Sequence, residues 1–292
     1  YGDSVQGMAY LGGGSPLLLI ADATNNKVWS IPFGSGSSPA PVPSTWCGDL
    51  GSPATMDGNC ASGSGFNGPS GISASDDGSK VYVGESGGHS VRVVDVGTMA
   101  LTTLAGSGSP GSADGTPLSA SFNGPMDVGV TRDGLRVIVC DTGNNKLRSI
   151  DVSTGDVTTV AGSGGGSAVD GPGLSADFFA PTGIAMSRDG SRAFVAEYDR
   201  IRVVDLTTFD VSTLAGGGAA IGSITDGGAG SATFNEPKRL AVSGTDAILY
   251  VAEAGFYACG IRAIQLKLSR EDSNYVKLVA GGFGTCNSGS DG

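Results

Sequence analysis

Apolar residues along this chain come in short runs separated by stretches rich in Gly, Asp, Ser and Thr. Runs this short, flanked by turn formers and rich in Val and Ile, predict β-strands. The stretch after Pro181 shows the plan. A first strand is predicted at 183–187. Arg188-Asp189-Gly190 then marks a hairpin, because Gly tolerates a positive φ. A second strand at 193–197 ends on Glu197, a third runs over 201–206, and a fourth over 210–216. A Gly-rich linker carrying Asp226-Gly227 leads to the next run. No stretch reads as a helix.

The plan repeats. Phe66…Pro69, Phe122…Pro125, Phe178…Pro181 and Phe234…Pro237 each stand 56 residues from the next (122 − 66, 178 − 122, 234 − 178). Second strands are predicted at 81–85, 137–141 and 249–253. Fourth strands close on Ala105-Gly106, Ala161-Gly162 and Ala280-Gly281. A divergent unit at the start supplies strands at 7–10, 17–22 and 27–31. A fixed period of this size marks stacked supersecondary units. Four short strands per unit predict propeller blades around a central channel. Blade strands are covered on both faces, so continuous apolar runs such as Val93-Val94 and Val203-Val204 are expected. The expected fold is all-β: one propeller domain of five four-stranded blades, with repeats at approximately 1–58, 59–115, 116–171, 172–227 and 228–292. Both chain ends fall in the same repeat phase. The chain is therefore expected to be cut from a longer protein, with a sixth blade or further repeats outside it.

The motif A-x-F-x-x-P-x-G-I, followed by Y-V-A-E/D…N-x-x-I/V-R-x-I-D and V-T-T-L-A-G, resembles the NHL-repeat class of β-propeller. It is especially similar to the plant, algal and bacterial form ending in T-L-A-G…A-D-G. Residues 139–148, Val-Cys-Asp-Thr-Gly-Asn-Asn-Lys-Leu-Arg, carry the resemblance most closely. It covers almost the whole chain and implies a propeller fold. Members of the class include enzymes, RNA binders and protein-interaction modules, so it does not by itself imply an activity.

Charge narrows the partners. The chain holds 17 basic and 28 acidic residues, a net charge of −11. Nucleic-acid binding depends on a basic stripe that neutralises phosphates, so a nucleic-acid partner is not expected. No apolar stretch approaches the ~18 residues of a membrane span. The 51 glycines sit mainly in linkers such as 162–166 and 216–218. Five cysteines suggest two bridges: Cys47–Cys60, within the inter-blade stretch of the first unit, and Cys259–Cys286, between two loops of the last. Cys140 reads as a buried strand thiol. Two disulfides imply an extracellular, secretory or lumenal compartment. The Pro-rich stretch around Pro41 reads as an extended spacer.

The residues that invite a chemical reading are the acids that end each second strand: Asp22, Glu85, Asp141, Glu197 and Glu253. A ring of carboxylates suits Ca²⁺, which takes about six to eight oxygen ligands. Arg92, Arg148, Arg202 and Arg262 recur in step with them. An acid and an Arg repeating together predict a structural pair, since buried charge requires a partner. Asp57-Gly58, Asp114-Gly115, Asp170-Gly171, Asp226-Gly227 and Asp291-Gly292 read as turn chemistry. One relative in the class that this chain resembles, the peptidyl-hydroxyglycine amidating lyase, binds catalytic zinc through several histidines. This chain has His89 alone, at a hairpin tip, so that site is not carried over. The gluconolactonase-like Glu, Asp and Asn set of related propellers has no asymmetric counterpart here either. No cofactor is expected.

The expected function is a non-catalytic interaction or structural module. It would bind a protein or glycan partner, or other copies or domains of its parent protein, through propeller loops. A metal-dependent hydrolase or lyase working in the channel is the alternative. The expected contact face joins the second-to-third-strand hairpins to the linkers and includes Pro41, Phe256 and Tyr257. The Asp-Gly hairpins would lie at the opposite face.

Overall fold

The computed structural model describes residues 5–12, 16–32, 42–48, 52–217, 225–255, 258–266 and 275–283. Five antiparallel four-stranded blades follow one another among them. Blade one comprises Val5–Leu11, Leu17–Asp22, Lys27–Pro32 and Ser44–Cys47. Blade two is built from Pro69–Ala74, Lys80–Glu85, Ser90–Asp95 and Ala100–Ala105. Blade three contains Pro125–Val130, Arg136–Asp141, Lys146–Asp151 and Val157–Ala161. Blade four has Gly183–Met186, Arg192–Glu197, Arg200–Asp205 and Val211–Gly216, and blade five Pro237–Val242, Ile248–Gly255, Ala258–Gln265 and Tyr275–Phe283. The fold is a β-propeller of the expected blade plan. Helical structure among the described residues is limited to single 3₁₀ turns at Thr142–Asn144 and Gly173–Ser175.

The chain forms two compact units, Tyr1–Thr159 and Val160–Gly292. In the first, Leu19, Ala21 and Val28 of blade one pack on Ile72, Val81, Val83 and Val94 of blade two. Tyr82 and Val91 of blade two then join Val128, Val137 and Val139 of blade three. In the second, Phe194, Ala196 and Ile201 of blade four meet Leu249, Val251 and Ile264 of blade five. The second strands of blades two, three and four are therefore covered on both faces. Lys80–Glu85, Arg136–Asp141 and Arg192–Glu197 are each buried at every position after the first. This explains why apolar runs, and not alternation, marked these strands in the sequence.

Glycine near the start of a first strand has a packing reason. A β-carbon at Gly7 would strike the Ser70 carbonyl, and one at Gly183 the Lys238 carbonyl. At these two positions the neighbouring first strand approaches too closely for a β-carbon.

Four linker Asp-Gly dipeptides among the described residues do more than turn the chain. Gly58 pairs with Leu101, Gly115 with Val157, Gly171 with Val211 and Gly227 with Val276. The linker thus lays a two-residue added strand in blades two and five, and a single bridging residue in blades three and four, along the outer edge of the blade that follows, covering part of an edge that would otherwise be left open.

Cys47 and Cys60 are bonded, with an S–S distance of 2.04 Å. Their placement differs from the loop position expected. Cys47 belongs to the fourth strand of blade one, opposite Val28. Cys60 follows the added strand of blade two, and its N–H donates to the Met99 carbonyl at 2.8 Å. The bridge therefore staples one blade to the next. Cys259 lies in the third strand of blade five, opposite Ala254 and Gly282, not at the hairpin tip. Cys286 falls outside the described residues, as do Pro41, Phe256, Tyr257 and Asp291-Gly292. Cys140 is a free, buried thiol.

Candidate functional site: the repeated carboxylate–arginine cluster

The second and third strands of a blade are antiparallel neighbours, so an acid ending the second lies near residues early in the third. In blade three this places Arg148 opposite Val139, beside Asp141. Arg148 is fully buried. Its Nη1 donates to Asp141 Oδ2 at 2.8 Å and to the Ser121 carbonyl at 3.0 Å. Its Nη2 donates to Asp114 Oδ1 at 2.6 Å and to the Ala113 carbonyl at 2.7 Å. The guanidinium carbon sits 5.2 Å from the centre of the Phe122 ring. Asp141 also accepts the Asn123 N–H at 2.7 Å, and the Thr159 hydroxyl donates to Asp114 at 3.0 Å.

Five letters of the repeat meet in that cluster. The Asp of Asp-Gly, the Phe, the strand-ending acid, the Arg and the Thr of T-L-A-G are one hydrogen-bonded and stacked assembly. The other blades repeat it. Arg92 joins Glu85 at 2.9 Å and Asp57 at 2.8 Å beside Phe66. Arg202 joins Glu197 at 2.6 Å and Asp170 at 2.8 Å beside Phe178. Arg262 joins Asp226 at 3.0 Å and Glu253 at 3.6 Å beside Phe234. Blade one departs from the pattern. Trp29 takes the Arg position opposite Ile20, and its indole N–H donates to Asp22 Oδ2 at 2.9 Å. The acid–Arg pairing was legible in the sequence. The third member was not, because an Asp before Gly is already explained by its turn.

Burial divides the two acids of a cluster. It pushes the Glu197 carboxyl up to about 7, against the opposing pull of Arg202. Glu85 and Glu253 are raised for the same first reason. At Asp170 and Asp114 burial also raises, but hydrogen bonds from Thr213, Thr159 and the arginines outweigh it and the net shift is downward. Hydrogen bonds from Asn25 and Trp29 likewise overcome burial at Asp22. In blade four the outer Asp170 thus holds the charge opposite Arg202, and the inner Glu197 takes the proton first.

Asp22, Glu85, Asp141, Glu197 and Glu253 are accordingly each engaged within their own blade. Among the described residues no three His, Cys, Asp or Glu side chains are grouped to hold a metal ion. His89 is half-buried. It sits at φ 49°, and its Nδ1 accepts the Gly124 N–H at 3.1 Å. Asn26, at φ 54°, does the same for the Gly68 N–H at 2.9 Å. The histidine at this hairpin tip is thus a tie between blades two and three.

Blade four breaks the repeat. Phe179 stands where the other units have Asn67, Asn123 and Asn235. Tyr198 lies in a hairpin that is shorter than those of blades two and three. The two rings meet edge to face with centroids 5.4 Å apart, and both are exposed. Beside them Arg200 Nε donates to Asp199 Oδ1 at 2.8 Å. The replacement of a repeated Asn by Phe was the sequence signal for this pair.

No protein-family model matches the chain. It is 33% identical over 152 residues to Protein SUPPRESSOR OF QUENCHING 1, chloroplastic, from Arabidopsis thaliana, covering 48% of this chain and 14% of that protein. It is 30% identical over 217 residues to NHL repeat-containing protein 2 from Homo sapiens, covering 68% of this chain and 30% of that one. The Bos taurus protein of the same name is 32% identical over 162 residues, covering 51% and 22%. The chain thus spans less than a third of the length of each. Among solved structures, an auxiliary nutrient binding protein from Bacteroides thetaiotaomicron superposes with a TM-score of 0.62 at 16% identity, over 85% of this chain and 56% of its own. A chain of a nidogen/laminin complex gives 0.60 at 11%, over 93% and 82%. These two share the fold. The repeat motif, the blade topology and the relatives agree, and the chain belongs to the NHL-repeat β-propeller family.

Proposed function

We propose that this chain is a non-catalytic interaction module of an extracellular or lumenal protein, binding a protein or glycan partner at the blade ends that carry the second-to-third-strand hairpins. The observation that carries this reading is the exposed Phe179–Tyr198 pair. It breaks an otherwise regular scaffold, and recognition concentrates on such irregular loops. Exposed aromatic rings beside a paired Arg and Asp suit either a peptide or a sugar face. The repeated acids favour no chemistry, since four of the five are tied to arginine and the fifth to Trp29 and Asn25. The buried Cys47–Cys60 bridge supports an oxidising compartment.

A photo-crosslinking residue at Tyr198, compared with one at Asp189 on the opposite hairpin, tests the face. Secreted-fraction proteins and an immobilised glycan set are the probes. Cross-linking at Tyr198, reduced by Phe179→Ala, is expected. Contacts confined to the hairpins at Asp77, Asp133 and Asp189 would place recognition at the other end. A stoichiometric metal with turnover of a lactone or an amidation precursor would reverse the reading in favour of a hydrolase or lyase.

A further inference from the structure

Blade four departs from its neighbours at Phe179, at Ala180 and in the Tyr198 hairpin, and the Phe179–Tyr198 contact brings these departures to one end of the blade. Phe179-Ala180 stands where blades two and three carry Asn67-Gly68 and Asn123-Gly124. Ala180 keeps the left-handed conformation of those glycines, at φ 50° against 64° and 61°, although a β-carbon disfavours it. Glu236 does the same in blade five, at φ 51°. The hairpin after Glu197 is cut to Tyr198 and Asp199. Backbone strain retained beside an irregular loop points to a site with a task.

Backbone anchors hold the two rings in place. The Phe179 N–H donates to Oε2 of the buried Glu197 at 3.3 Å. The Tyr198 carbonyl accepts the Glu236 N–H at 3.0 Å, and the Asp199 carbonyl accepts the Gly217 N–H at 3.2 Å. The four charges that flank the rings are paired. Arg200 grips both oxygens of Asp199, through Nε at 2.8 Å and Nη2 at 3.2 Å, and Lys238 Nζ reaches Glu236 at 3.1 Å. All four side chains remain partly exposed. In a chain of net charge −11, these two pairs cancel. The site is therefore ordered in advance, which lowers the cost of binding.

Size and charge select the ligand. An aromatic side chain carries about 150–250 Å² of surface. With Phe179 44% and Tyr198 38% exposed, the two rings offer on the order of 150 Å². A stable protein interface draws about 800 Å² from each partner, over half of it apolar. The rings instead match one face of a sugar ring. In their edge-to-face contact, with an interplanar angle of 81°, one ring gives only its edge, so its partner leaves its faces uncovered. Sugar hydroxyls donate and accept at once, which suits carboxylates and N–H donors fixed side by side. Paired charges offer no net attraction to a sulfated or uronic chain, and the acidic molecule repels one. We propose that the Phe179–Tyr198 end of blade four binds a neutral glycan, one pyranose stacking on an aromatic ring with its hydroxyls on the Asp199–Arg200 and Glu236–Lys238 pairs. This ligand class rests on the contact face proposed above and narrows its partner.

An array of neutral glucan, mannan, galactan and xylan oligosaccharides, beside sulfated and uronic-acid counterparts, tests the proposal. The wild-type chain is expected to bind at least one neutral series, with an affinity that does not fall as salt is raised. Phe179→Asn installs the residue that three other units carry at this position, and it should weaken that binding about tenfold, the loss of one aromatic stack. Tyr198→Ala should weaken it as well. Binding confined to the charged series and lost at high salt would overturn the assignment. So would neutral binding that both variants leave intact. Should a variant misfold by circular dichroism, the wild type decides: the ring-proton resonances of Phe179 and Tyr198 should shift on adding the bound oligosaccharide, and unchanged resonances overturn the site. If no neutral sugar binds while a photo-crosslinker at Tyr198 captures a protein regardless of added oligosaccharide, the glycan is wrong and the contact face stands. If neither is seen, both fail.

Discussion

Arg148 shows how a charge is kept at zero exposure: two carboxylates, two carbonyls and an aromatic ring surround one guanidinium. Removing one partner of a buried pair strands the other, which costs about 3–5 kcal/mol. Arg148→Met should therefore lower unfolding free energy by about that amount in urea titrations, since Asp141 is itself fully buried. Adding Asp141→Leu should recover part of the loss, because replacing both partners by apolar groups removes the stranded charge. Glu197 supplies a pH test. Its carboxyl is raised from 4.5 to about 7, so the folded state binds the proton more tightly than the unfolded one. The stability this contributes is full below the unfolded value and is lost as pH rises through about 7. Glu197→Gln cannot ionise, so its stability should change less than that of wild type between about pH 5 and pH 8. An equal change in the two proteins would show that Glu197 does not titrate in this window. At this scale the sequence revealed which residues recur but not which of them touch. Asp57, Asp114, Asp170 and Asp226 reach their arginines across more than thirty residues of chain, a closure that no local pattern encodes.

Strands were the most legible elements, because period, turn residues and apolar runs all pointed to the same boundaries. Predicted and observed strands in blade four differ by a residue at either end. The fourth strand of blade one escaped, since Ser44–Cys47 lies beyond a Pro-rich stretch and lacks the T-L-A-G ending. That omission left Cys47 in a presumed linker and hid the inter-blade role of its bridge. The staple has a measurable consequence. Cysteines 13 residues apart close a loop whose cross-link is worth about 3 kcal/mol in the chain-entropy account. Cys47→Ser with Cys60→Ser should lower the melting temperature by several degrees, with the loss appearing in blades one and two by hydrogen exchange. Non-reducing peptide mapping should recover the Cys47–Cys60 pair, and Cys140 should alkylate only after unfolding. The hairpin ties make a second, finer test. His89→Asn should preserve the bond to the Gly124 N–H, as Asn26 does for Gly68, whereas His89→Leu should cost about 1 kcal/mol for the lost acceptor.

For the whole molecule, the constant 56-residue period determined the architecture before any contact was known, because an identical unit must bury identical faces. The functional surface was less legible, because function on such a scaffold lies where the repeat fails. The aromatic pair expected at Phe256 and Tyr257 lies outside the described residues, while Phe179 and Tyr198, separated in sequence, meet in space. Charge is a property of the molecule as a whole, and it makes a prediction that the family resemblance alone does not. Some NHL proteins bind RNA, yet here 28 acids face 17 bases. Four of those bases, Arg92, Arg148, Arg202 and Arg262, are fully buried, so they cannot neutralise phosphate. Phosphate contacts supply most of non-specific nucleic-acid affinity, and that term strengthens as salt falls. Fluorescence anisotropy with a labelled single-stranded RNA should therefore stay flat into the micromolar range at physiological salt. Lowering the salt should produce no rise, because the unscreened field of a chain with net charge −11 repels a polyanion. Binding that grows steeply as salt is reduced would reveal a basic surface that the arrangement of charges does not provide.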